Sequence, residues 1–150
     1  MGKLLGIMWA ISLLSLFGIA QADDKDKAAE DDKKFEGTWK VAVMEIGGNK
    51  APTEAFENMT FTFTGKKYVQ KSGDNVVEAG TQDLDPSKSP KYMDVTVTEG
   101  ETKDKKQLAI YEIDGDTCKI CFAQHDSKDR PTKYDTKDTD NMYFELKRKK

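Results

Sequence analysis

Histidine is almost absent from this chain. It occurs once in 150 residues, at His125, and cysteine occurs only twice, at Cys118 and Cys121. Two cysteines make no disulfide framework, and one histidine leaves a zinc site without a second imidazole. No Gly-x-Ser-x-Gly elbow and no Gly-rich phosphate loop occurs, and no Ser or Thr has an evident His partner, so the usual acyl- and phosphoryl-transfer devices are missing. The net charge is only -3, with both signs interspersed, which lacks the basic footprint of a nucleic-acid binder. Beyond the first 22 residues no stretch is apolar enough to cross a bilayer.

The chain does have one long apolar run, and it stands at the N-terminus. Lys3 precedes Leu4 to Phe17, and Gly18-Ile19-Ala20-Gln21-Ala22 follows with small residues at the two positions a signal peptidase reads. These features predict a signal peptide over residues 1–22, cleaved after Ala22. The run is shorter than the roughly 20 residues of a membrane span. Export then places the mature chain in the periplasm or outside the cell. Residues 23–34 are mostly Asp, Lys and Glu without aromatics or β-branched residues, a composition that predicts a disordered tether, with a short amphipathic helical turn leading into Phe35 as the alternative.

From Phe35 the hydrophobic period becomes two. Trp39, Val41 and Val43 alternate with Lys40, Ala42 and Met44; Met59, Phe61 and Phe63 alternate with Thr60, Thr62 and Thr64; Met93, Val95 and Val97 alternate with Asp94, Thr96 and Thr98. Such alternation predicts half-buried strands. Gly65-Lys66, Ser72-Gly73-Asp74-Asn75 and Asp114-Gly115-Asp116 are turn signals, the last a strong hairpin cue. Met142, Phe144 and Leu146 mark a final strand. About eight short strands without a long crossover helix predict an all-β antiparallel meander, and closure into a barrel would remove its free edges.

Several chemistry-bearing groups are weaker than they look. Cys118-Lys119-Ile120-Cys121 has redox-motif spacing but sits in a strand rather than at a helix N-terminus. Its Cα atoms would be about 10 Å apart, beyond the roughly 7 Å reach of a disulfide. Cys118 shares parity with Ile120 and Phe122 and is expected in the core, whereas Cys121 shares the outward face of Lys119. Phe122 stands where haem attachment needs His. Asp114-Gly115-Asp116 lacks the remaining oxygen ligands of a calcium loop. His125 is expected to be a solvated loop residue, and the Lys147–Lys150 tail a solvated chain end.

Gly37-Thr38-Trp39 opens the first strand and Arg148 ends the last. The pair resembles the Gly-x-Trp and terminal Arg of lipocalin-like barrels. Gly37, Trp39 and Arg148 would then close one barrel end, with a guanidinium over the indole. More of the chain is similar to a family of small exported lipocalin-like domains, of uncharacterised function, abundant in planctomycete bacteria. The stretches are Phe35–Val41, Phe61–Tyr68, Leu84–Lys91, Ile110–Phe122, Arg130–Thr132 and Leu146–Arg148, in register from Phe35 to the end. The resemblance implies a lipocalin-like barrel over residues 35–150 but no activity.

The sequence therefore points to an exported binding module rather than an enzyme, with no catalytic, cofactor or metal residues expected. Phe61, Phe63, Met93, Val95, Phe122 and Phe144 are the expected lining of a cavity for a small apolar ligand. The alternative is a barrel filled by those side chains, meeting another envelope protein. Neither nucleic acid nor, after cleavage, a membrane span is expected.

Overall fold

The computed structural model describes residues 17–150, with side-chain surroundings from Asp23 onward. The predicted signal peptide lies outside the described residues up to Leu16. Helix α1 spans Phe17–Phe35, followed by β1 (Gly37–Ile46), the two-residue β2 (Asn49–Lys50), a 3-10 turn at Thr53–Ala55, β3 (Met59–Thr64), β4 (Lys67–Ser72), β5 (Asn75–Asp85), β6 (Lys91–Gly100), β7 (Lys106–Asp114), β8 (Thr117–Phe122) and β9 (Met142–Arg148). Each strand from β3 to β9 pairs antiparallel with the next, β3 pairs with β1, and β1 pairs with β9. Eight strands thus close into an up-and-down barrel, with β2 an extra strand outside the ring. Closure consumes the backbone groups that an open edge would expose. Among the described residues no helix is long and apolar enough to cross a membrane.

The alternating apolar positions point inward, as their period requires. Phe61, Phe63, Met93, Val95, Ile120, Phe144 and Leu146 are all buried in one cluster. The parity of β1 changes partway, however. A bulge between Val41 and Val43 breaks its register with β9. An extra residue in one strand reverses which faces follow it. Met44 therefore packs against the core in the place that strict alternation assigned to Val43.

The segment expected to be a disordered tether is helical instead. Its order comes from tertiary contacts that its composition does not advertise. Phe35 is fully buried, its ring 4.9 Å from that of Phe63 and 5.3 Å from that of Tyr111. The carboxylate of Asp31, also buried, accepts hydrogen bonds from Lys91 Nζ at 2.9 Å, Tyr111 OH at 2.7 Å and Lys34 Nζ at 3.2 Å. The helix covers the barrel end where β1 begins and β9 ends.

Candidate functional site

The two barrel ends have different chemistry, and the helix end is a sealed one. Trp39 is fully buried there and donates its indole N–H to Phe35 O at 2.7 Å. The Arg148 guanidinium lies 4.2 Å above the Trp39 ring. It donates through Nη1 to Glu36 O, through Nη2 to Lys34 O and through Nε to Asp116 Oδ1. Gly37 has φ +115°, a conformation that favours glycine, and a Cβ there would come within 3.2 Å of Arg148 Nη1. Gly37, Trp39 and Arg148 are thus brought together, and they hold helix to barrel by fixing backbone carbonyls of Lys34, Phe35 and Glu36.

The other half of the barrel is hollow. A cavity of about 200 Å³ lies among Met44, Phe61, Phe63, Met93, Val95, Phe122, Met142 and Phe144. All six side chains expected to line a cavity do so. Met44 and Met142 complete the apolar wall: Met44 was hidden from the sequence by the β1 bulge, whereas Met142 was legible as a strand position but not as a wall. The edge-to-face ring pairs Phe61–Phe144 and Phe122–Phe144, with centroids 5.5 and 6.0 Å apart, stiffen that wall.

A polar cluster enters the same cavity, formed by Tyr68, Gln70, Glu78, Gln107 and His125. Sequence reasoning missed it. Glu78 and Gln107 occupy inward positions where a binary pattern leads one to expect apolar residues, and no local signal marks them. The Glu78 carboxylate, 15% exposed, accepts Tyr68 OH at 2.6 Å on Oε1 and Thr102 OH at 2.9 Å on Oε2. Burial first, and then the adjacent Glu78 charge, pushes the Tyr68 phenol far above its ordinary range, so it stays a hydrogen-bond donor. Gly80 makes room for it, since a Cβ at that position would meet Tyr68 Cε1 at 2.9 Å and the Thr96 carbonyl still closer. Gln107 donates Nε2 to Ala123 O at 2.7 Å, which ties the segment after β8 over this end.

That segment corrects the reading of His125. The imidazole is not a solvated loop group: its side chain is 21% exposed, and Nε2 lies 3.4 Å from Glu78 Oε2. Nε2 itself is buried and makes no hydrogen bond. The backbone around it is anchored by Asp126 Oδ1, which accepts Lys106 N–H, and by the Asp126 N–H, which donates to Lys106 O. Arg130 extends the anchor by donating to Met93 O and Ala109 O while lying 4.0 Å over the Tyr92 ring.

Both cysteines are free thiols. Cys118 belongs to the core, as its parity requires, and burial pushes its thiol well above the ordinary range. Cys121 departs from expectation. It does face away from the barrel interior, but it is fully buried, because the stretch Tyr134–Thr136 packs against the outer face near it. Tyr143, its neighbour on β9, packs edge-on against Tyr134 of that segment, and Thr136 is pinned to Glu45 and to Gly48 N–H. Burial, with Glu45 and Asp135 nearby, raises the Cys121 thiol to about 11. Among the described residues no group of three His, Cys, Asp or Glu side chains is placed to hold a metal ion. Comparison of the chain with protein-family models, curated proteins and solved structures finds no match in any of the three.

Proposed function

We propose that this protein is an exported, lipocalin-like binding module that holds one small apolar molecule in the hollow half of its barrel. The cavity of about 200 Å³ walled by Phe61, Phe63, Met93, Val95, Phe122 and Phe144 is the observation that carries the proposal. An engineered apolar cavity of roughly 150 Å³ admits benzene, so a single ring or a short branched chain is the right scale here. Larger lipids do not match that volume. The cavity-lining side chains include no serine, threonine or cysteine nucleophile, and the Glu78–His125 pair therefore supports recognition better than covalent chemistry. Export rests on Lys3, the Leu4–Phe17 run and the Ala20-Gln21-Ala22 site. The sealed helix end supports a cup with one entrance.

Titration calorimetry with toluene and benzyl alcohol tests it. Saturable one-to-one binding is expected, and Val95→Phe, which fills the cavity from within its wall, should abolish it. Absence of binding by both probes would refute a ligand module. The second reading, a structural domain that meets another envelope protein, is favoured by Val76 and Val77. They stand 45% exposed side by side on β5, beside the β4–β5 turn. Native mass spectrometry of protein purified from its source separates the two readings by the mass of what remains bound.

A further inference from the structure

The cavity contains one carboxylate, and its surroundings determine what it selects. Glu78 receives neutral hydroxyl donors from Tyr68 and Thr102, and neither supplies positive charge. Among the described residues no Lys or Arg forms an ion pair with it, and its one ionisable basic neighbour is His125, at 3.4 Å. A carboxylate offers about four acceptor sites, so two hydroxyls leave part of its capacity unused. The unbonded, buried Nε2 of His125 stands beside that unused capacity. The same cavity is walled by the rings of Phe61, Phe122 and Phe144. Aromatic faces attract cations, whereas an anionic head group here would meet Glu78.

We infer that Glu78 is a specificity-determining residue that makes the cavity select a small amine: an apolar body among the phenylalanines and a protonated amino group on the Glu78 carboxylate. The inference rests on the proposed binding function and names its ligand class. Tyr68 and Thr102 fix the carboxylate rotamer before ligand arrives, so little ordering remains at binding. Gly80 contributes indirectly, because its missing Cβ is what lets the Tyr68 ring reach Glu78. The same geometry disfavours carboxylates of equal size, which would bring two negative charges together in an apolar surround.

The test is a matched series on the full chain by titration calorimetry: benzylamine, benzyl alcohol, toluene and benzoate, each against wild type and Glu78→Gln. Benzylamine is expected to bind at least tenfold tighter than benzyl alcohol, and benzoate weakest. Glu78→Gln should erase the benzylamine advantage over toluene. Benzoate binding as well as benzylamine, or an amine preference that survives Glu78→Gln, overturns the inference while the binding function stands. Failure of all four probes refutes the binding function and the inference with it. Should Glu78→Gln not fold, the wild-type ranking of the four probes decides alone, and Tyr68→Phe, which removes one donor from Glu78, must weaken benzylamine more than toluene.

Discussion

At the scale of single residues, Arg148 ties the two chain ends together, its guanidinium lying over Trp39 and donating to Glu36 O, Lys34 O and Asp116. Trp39 and Arg148 could be paired from sequence only through the resemblance to lipocalin-like barrels, because no periodicity marks two such residues as partners. The structure joins them at 4.2 Å. A cation over an indole contributes roughly 0.5–2 kcal/mol, and charge-assisted hydrogen bonds about 1.5–3 kcal/mol each. Because Arg148 and its acceptors are partly solvated, screening discounts these contributions, and Arg148→Met should destabilise the protein by about 2–4 kcal/mol, read from urea unfolding at neutral pH. Arg148→Lys should recover only part of that, since one ammonium cannot serve Glu36, Lys34 and Asp116 as a planar fork does. Glu78 was illegible because a polar group on an inward strand position violates the binary pattern, whereas His125 lies in the segment after β8, where no period exists to place its ring in the cavity. The thiols give a sharper check. With both side chains buried and the Cys121 thiol raised to about 11, neither should react with Ellman's reagent at pH 8 in the native state. Both should react once the chain is unfolded, and fast native labelling of Cys121 would show that the stretch Tyr134–Thr136 does not cover it.

Among the elements, α1 departs furthest from its sequence. Its residues lack an apolar stripe, so periodicity gives no reason for order, and the helix is held by a few buried contacts at its C-terminal end. Asp31 and Asp32 respond to that burial in opposite ways. Burial alone would raise Asp31, but hydrogen bonds from Lys91, Tyr111 and Lys34 outweigh it and hold the carboxyl below its ordinary 3.8. Its contribution is therefore complete above the ordinary value and is lost as pH falls through the lowered one. Asp32 is pushed upward, chiefly by burial, which outweighs the downward pull of Lys66, with smaller rises from Asp83 and Asp31 and a small lowering by the Gln82 hydrogen bond, so its ionised form works against the fold at neutral pH. Asp31→Asn should cost about 2–3 kcal/mol at pH 7, and its difference from wild type should shrink below pH 4. Asp32→Asn should cost far less at pH 7, or stabilise. Thermal unfolding across pH 2.5–7 distinguishes them, and equal effects of the two substitutions would contradict the arrangement. The β1 bulge carries the same lesson within a strand: Met44 was assigned outward because one inserted residue leaves no trace in a hydrophobic pattern.

For the molecule as a whole, closure was readable and hollowness was not. Strand count and turn spacing imply a ring, whereas the space left inside depends on how side chains of known identity pack, which no period encodes. The helix end is filled by Trp39, Phe35, Tyr111 and Leu146, all nearly or fully buried, and the far end retains the cavity. On the proposed function, stability and binding belong to opposite ends of one barrel, and substitutions should report them separately. Arg148→Met is expected to lower stability while leaving the dissociation constant for benzyl alcohol unchanged within about twofold. Val95→Phe should abolish that binding and, as a cavity-filling change, stabilise the free protein by about 0.5–2 kcal/mol. The double variant should show the sum of the two stability changes within about 0.5 kcal/mol, because sites without shared partners add. A Val95→Phe variant that is both less stable and unable to bind would mean that the upper half is already closely packed. In that case the barrel is a filled scaffold, and the exposed Val76 and Val77 become the place to look for its partner.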